Sequence, residues 1–206
     1  MHISVIMASY LEDYKGAAKN RDTKFIRAVN SFLAQTYDNK SLVIVSDGCI
    51  KTNNLYDKYF KHFHNINLVQ LPKQSHLSGN VRQAGLNYIR DKECLVCYLD
   101  IDDSLKLNHL ENIVSQFEDS VNWVYYNDFM HYSEKQIVER NVWIEAGKIG
   151  TSSICHRNKM KYNWFNCDEY GHDWIFVTKL KSLTKRYKKI NNCGYLVHHV
   201  PHQFDN

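Results

Sequence analysis

Only two prolines and eight glycines are spread over the 206 residues, and no Pro- or Gly-rich linker, low-complexity tract or internal repeat divides the chain. One domain with a real core is expected at this length, not two complete ones. No run approaches the ~20 apolar residues of a membrane span, and no basic leader with an apolar stretch precedes the strand-like segment His2 to Ala8. The expectation is a soluble, cytoplasmic protein whose six cysteines stay reduced as core or incidental residues. Charge of one sign is also scarce. A formal net charge of +4 is too mild to imply a nucleic-acid partner, and none is expected, although it helps attract a small anionic substrate. Cys94-x-x-Cys97 lacks a matching second pair, and in an alternating strand its thiols point to opposite faces, so core packing is favoured over zinc or redox chemistry.

What is present is a regular alternation. Strand-length apolar runs rich in β-branched residues recur at Ile3 to Met7, Leu42 to Val45, Ile66 to Val69, Cys94 to Leu99 and Trp123 to Tyr126. Helical spacing appears between them in Phe25/Val29/Phe32 and Val81/Ala84/Tyr88, and later in Leu110/Ile113/Val114/Phe117, where Asn108 and Glu111 read as an N-cap pair. This predicts an α/β fold with a mostly parallel central sheet and helices on both faces. After Tyr126 the rhythm breaks into a polar hairpin or excursion, Phe129 to Ile149, and a helix returns near Trp174 to Leu183.

In such sheets ligands bind at the carboxyl ends of the strands. Asp100-Ile101-Asp102-Asp103 follows the strand Cys94 to Leu99 directly. Three neighbouring carboxylates repel one another. Either solvent relieves them in an acidic turn that caps the next helix, or a hard divalent cation, Mg²⁺ or Mn²⁺, does so together with a bound diphosphate. Asp47-Gly48 ends the strand Leu42 to Ser46. It reads as a plain turn or as a carboxylate accepting hydrogen bonds from a ribose or a base N–H. The basic run Lys179 to Lys189 suits a solvated helix face, with peripheral contact to an anionic membrane or acceptor as the alternative.

Several of these segments, taken in order, resemble family 2 glycosyltransferases of the GT-A fold. The quoted stretches are Ile3-Ser4-Val5-Ile6-Met7-Ala8-Ser9-Tyr10, Gln35-Thr36-Tyr37, Ser46-Asp47-Gly48, Arg82-Gln83-Ala84-Gly85, Leu99-Asp100-Ile101-Asp102-Asp103, Gly150-Thr151-Ser152-Ser153 and Gly171-His172-Asp173-Trp174. Departures include Ser9 for Thr, Leu11 for Asn, Ser46 for the first Asp of Asp-Asp-Gly, Gln83 for Asn and His172 for Glu. The resemblance implies a Rossmann-like nucleotide-diphospho-sugar transferase fold. Ser9, Tyr10 and Asp47 would hold the nucleoside, Arg82 would reach toward the nucleotide, and Asp100 would sit near the ribose or in the outer shell of a metal. Asp102 would be the chief metal ligand, joined by His198 or His199, and Asp173 would be the base.

On that basis the expected reaction is inverting transfer from a nucleotide-sugar donor, a UDP-sugar, to a hydroxyl on a glycan, lipid-linked or other acceptor. Residues 1–104 form the donor half of the domain and 105–206 the acceptor half. A nucleotidyltransferase is one rival, but Ser9 to Lys15 is not the Gly-rich basic loop that grips a triphosphate. The other rival is a non-catalytic sugar-nucleotide or glycan-binding module, which has no need of the base.

Overall fold

A computed structural model describes residues 1–14, Ala17, 19–74, 79–133, 136–167 and 171–198. Four strands, β1 (His2–Ser9), β2 (Lys40–Asp47), β3 (Ile66–Leu71) and β4 (Cys94–Tyr98), pair in parallel in the order β4-β1-β2-β3. β6 (Trp123–Tyr126) and β10 (Tyr187–Ile190) pair in parallel at the other end, and β9 (Ile154–Arg157) joins the two groups as an antiparallel insert between β4 and β6. A mostly parallel sheet buried on both faces needs apolar residues at consecutive positions. β2 shows this in the run Leu42 to Val45, and its polar ends, Lys40, Ser41, Ser46 and Asp47, are buried as well.

Helices cover both faces, as the periodicity predicts. α1 (Arg21–Leu33) and α4 (His109–Ser115) put Phe25, Val29, Phe32, Leu110 and Ile113 against one face. α3 (Gly79–Tyr88) and α5 (His172–Leu183) put Val81, Leu86, Phe176, Val177 and Leu180 against the other. α3 lies very close to the sheet, because a Cβ on Gly85 would fall 2.7 Å from the Ile6 side chain. Cys94 and Cys97 belong to opposite cores, and all six cysteines are buried.

Four features differ from the sequence-based expectation. α2 (Ile50–Tyr59) carries almost no apolar stripe, burying only Thr52, and is started by the Cys49 thiol accepting from the Thr52 N–H. Asn108 does occupy the N-cap of α4, but its side chain makes no cap bond, and Glu111 instead accepts from the Thr36 hydroxyl at 2.7 Å. The basic run is not one helix face. α5 stops at Leu183 and the chain returns as edge strand β10, with Lys179 bonded to the Asn163 and Phe165 carbonyls, Arg186 to that of Ser120 and Lys189 to that of Val142.

The excursion is a hairpin, β7 (Asp128–Ser133) with β8 (Gln136–Arg140), but it also builds a second sheet with β11 (Tyr195–Val197) and β5 (Ser104–Leu105). Asp128 anchors it. Its fully buried carboxylate accepts from Arg140 Nε at 2.7 Å and from the Ser152 and Ser153 hydroxyls at 2.8 Å each. Asp128→Ala strands these donors, and because Arg140 is half-exposed the expected loss is about 2–3 kcal/mol. Urea unfolding should show a lower midpoint at unchanged slope; an unmoved midpoint would mean that the hairpin is anchored elsewhere. Among the described residues no helix is long and apolar enough to cross a membrane.

Candidate active site

Strand register gathers the site. Ser9 of β1 pairs with Ser46 of β2, and Ile6 with Tyr98 of β4, so Tyr10, Asp47 and Asp100 emerge at one edge of the sheet. A cavity of about 320 Å³ opens there, lined by Tyr10, Asp47, Lys73, Arg82, Asp100, Asp102, His172 and Asp173 among others. Ser9 also lines it, but the Ser9 hydroxyl is buried and bonded to Thr52 Oγ1 at 2.8 Å, which ties β1 to α2. Both Asp47 oxygens are engaged at 2.5 Å, Oδ1 by the Gln74 N–H and Oδ2 by the Lys73 ammonium. The same ammonium stands 4.1 Å from the centre of the Tyr10 ring.

The acidic turn after β4 is sorted by neighbours far away in sequence. Tyr195 of β11 donates to Asp103 Oδ2 at 2.9 Å while its oxygen accepts from the Asp100 N–H at 3.0 Å, and the His198 N–H donates to Asp103 Oδ1 at 2.8 Å. Asp103 therefore points inward. Burial, reinforced by the charges of Asp102 and Asp100, pushes its carboxyl well above the usual range. Asp100 is also pushed up, chiefly by burial, against the pull of Arg82 and with Asp102 and Asp173 adding to the rise. Arg27 donates to the backbone carbonyl of Asp102 and so fixes that peptide.

Arg82, expected to reach toward the nucleotide, lines the first cavity from α3. It is buried, donating to Asp100 Oδ1 at 2.8 Å and to the Thr151 hydroxyl at 3.3 Å, with its guanidinium 5.2 Å from the Trp164 ring. His172 Nε2 lies 3.0 Å from Arg82 Nη1 and also 3.0 Å from Asp173 Oδ1, at the first turn of α5. Burial opposes ionisation of Asp173, but the His172 hydrogen bond and the Arg82 charge outweigh it and hold its carboxyl below the usual range. The helix dipole acts in the same direction.

A second cavity of about 490 Å³, lined by Met130, Arg140, Ile149, Thr151 and Val197 among others, adjoins the first. Tyr14, Asp100, Asp102 and Asp173 line both. Among the described residues no three His, Cys, Asp or Glu side chains gather as a ready-made metal cage. A hard cation can be held through one or two carboxylates and substrate phosphates, and Asp100 and Asp102, which both line the two cavities, are carboxylates of that kind. The His198 ring is buried, with Nε2 2.7 Å from Ser104 Oγ and Nδ1 2.7 Å from His131 Nδ1, and burial with the Arg27 charge pushes it down to about 3. It meets a cation only by exchanging one of these partners. His199, the other histidine singled out, lies outside the described residues. Tyr14, Lys73, Trp164 and Tyr195 are site residues that the sequence did not flag, since none sits in a motif with spacing of its own, and Thr151 stood in the Gly150-Thr151-Ser152-Ser153 stretch without a role.

The class of protein follows from the topology. A mostly parallel sheet with a cavity at its strand ends, interrupted by one antiparallel strand and continued into a small second sheet behind an acidic turn, is the arrangement of the GT-A fold. The sequence matches the model of glycosyl transferase family 2 over residues 4–193, and the chain belongs to that family. No curated protein matches it. Its structure is similar to that of S. aureus TarS residues 1–349, with TM-score 0.72 and 14% identity over 96% of this chain and 60% of that one. It is similar to the same TarS fragment in complex with UDP-GlcNAc, with TM-score 0.70 and 16% identity over 97% and 59% of the two chains. The mannosyltransferase PcManGT from Pyrobaculum calidifontis, in complex with GDP-Man and Mn²⁺, is also similar, with TM-score 0.67 and 12% identity over 99% and 58%. Identities this low carry the fold alone, and the chain spans about three fifths of each of those chains.

Proposed function

We propose that the chain is a metal-dependent, inverting glycosyltransferase that moves a sugar from a UDP-sugar to an acceptor hydroxyl. The observation that carries this reading is the junction of the two cavities, where Asp100, Asp102 and Asp173 line both. The first cavity draws mainly on residues 1–104 and receives the donor; the second draws mainly on residues from 105 onward and receives the acceptor. The anomeric carbon and the attacking hydroxyl then meet at the shared carboxylates. Complexes of the similar TarS and PcManGT with UDP-GlcNAc and with GDP-Man and Mn²⁺ support a nucleotide-sugar donor and a divalent cation.

In this reading Tyr10 packs against the base and Asp47 takes a hydrogen bond from base or ribose once Lys73 yields it. Asp102, with Asp100 beside it, would hold a Mn²⁺ or Mg²⁺ ion, which would supply charge neutralisation for the departing nucleoside diphosphate. Asp173 accepts the acceptor's hydroxyl proton as the new C–O bond forms and the anomeric C–O bond to phosphate breaks. Arg82 fixes Asp100 and lies near Asp173, so it keeps the two carboxylates in register.

The test is a thermal-shift and calorimetric series with UDP, UDP-sugars and other nucleoside diphosphates, with and without Mn²⁺. A specific ligand raises Tm by mass action; a chain that no nucleotide stabilises would sink the proposal. Asp47→Ala is expected to weaken nucleotide binding by about 10- to 150-fold, the scale of a lost charge-assisted hydrogen bond of ~1.5–3 kcal/mol. Its metal dependence should survive. Unchanged affinity for every nucleotide would reduce Asp47 to a turn residue.

A further inference from the structure

Lys73 is the group at the nucleoside end that the proposed function leaves unexplained. It follows β3, and its backbone is wedged against the turn that Asp47 begins: Gly48 has φ +62°, and a Cβ there would lie 2.5 Å from the Lys73 nitrogen. Any larger residue at 48 would push the two segments apart, so the main chain of Lys73 is fixed beside Asp47. Its side chain is one-third exposed and places the ammonium on Asp47 Oδ2, 4.1 Å from the centre of the Tyr10 ring. That is the place a planar base must take to pack on Tyr10.

We propose that Lys73 is a base-reading residue that yields the Tyr10 face to the nucleobase and then donates to an exocyclic carbonyl oxygen of it, so that uracil or guanine is preferred over cytosine or adenine. The inference rests on the donor reading above. A carboxylate only accepts hydrogen bonds and an ammonium only donates them. Side by side, Asp47 and Lys73 match a base edge on which a ring N–H adjoins a carbonyl, as N3–H adjoins O4 in uracil and N1–H adjoins O6 in guanine. Cytosine and adenine carry an unprotonated ring nitrogen and an exocyclic amine at those positions, which would set acceptor against Asp47 and donor against Lys73. The four-carbon stem of lysine lets the ammonium swing off the ring while the backbone stays pinned.

The test is calorimetric titration of UDP, CDP, GDP and ADP in Mn²⁺ against wild type, Lys73→Ala, Lys73→Met and Lys73→Arg. Wild type should favour UDP over CDP, or GDP over ADP, by at least about tenfold. Lys73→Ala and Lys73→Met should shrink that ratio by about tenfold, mostly through weaker binding of the favoured nucleotide, and Lys73→Arg should restore most of it. Matching unfolding curves for the partly exposed position would confirm that the variants fold. A ratio unchanged in both Ala and Met variants overturns the role of Lys73 and leaves the donor site standing. Failure of wild type to bind any of the four overturns the donor reading and this inference with it.

Discussion

Asp173→Asn is expected to lower sugar transfer at least ~10²-fold, the usual cost of losing a general base, while nucleotide and cation affinity stay within a fewfold of wild type. The asparagine keeps the shape of the side chain and removes only its basicity. Asp173 is suited to the role by where it stands: it lines both cavities and stands in the first turn of α5 beside Gly150, where an added Cβ would fall 3.3 Å from Asp173 Oδ2. Its ionised form is held by His172 and by Arg82 against the pull of burial.

A carboxylate depressed in this way stays a base as the pH falls, and transfer should decline only as pH drops through that lowered value. His172→Gln removes the imidazole nitrogen that lies 3.0 Å from Asp173 Oδ1 and favours the charged form, so the acid limb of kcat/KM should move to higher pH. Near-normal transfer by Asp173→Asn, with donor binding intact, would assign the proton to another group. An unmoved acid limb in His172→Gln would show that the contact at 3.0 Å does not tune the base.

The large sheet was legible because its signal is local. Unbroken β-branched runs such as Leu42 to Val45 make buried parallel strands wherever they occur, and the edge at which β1, β2 and β4 end is fixed once their order is known. What was not legible depends on contacts between distant residues. Nothing in Tyr195-Leu196-Val197 announces that the tyrosine sorts the carboxylates of a turn some ninety residues earlier in the chain, leaving Asp103 inward. The burial of Arg82 was not legible either, because a one-turn stripe does not show that the helix lies almost on the sheet, with Gly85 against Ile6. α2 was missed because its first turn is set by a thiol cap rather than by apolar spacing. The basic run misled for the opposite reason: its lysines share a charge but not an element, and backbone carbonyls hold two of them, Lys179 and Lys189.

Removal of the Asp102 carboxylate should abolish the cation dependence of nucleotide binding. Within the acidic turn the three carboxyls have different duties. Asp100 is bonded to Arg82, and Asp103 is turned inward to Tyr195 and the His198 N–H. Asp102 lines both cavities on a peptide that Arg27 holds. A hard cation there would draw charge from Asp102 and from the diphosphate, and would relieve the repulsion that now raises Asp100 and Asp103. Titrating UDP into wild type with Mn²⁺ or Mg²⁺, and again with a chelator, should show a gain of about 10² or more from the cation, the scale of a close charge contact at a buried site. In Asp102→Ala the two titrations should coincide. Asp103→Asn is the matching control: its carboxyl is pushed toward the neutral form and both of its oxygens are already taken by Tyr195 and the His198 N–H, so the cation effect should persist in that variant. Equal cation dependence in wild type and Asp102→Ala would remove Asp102 from the metal site and move the search to Asp100.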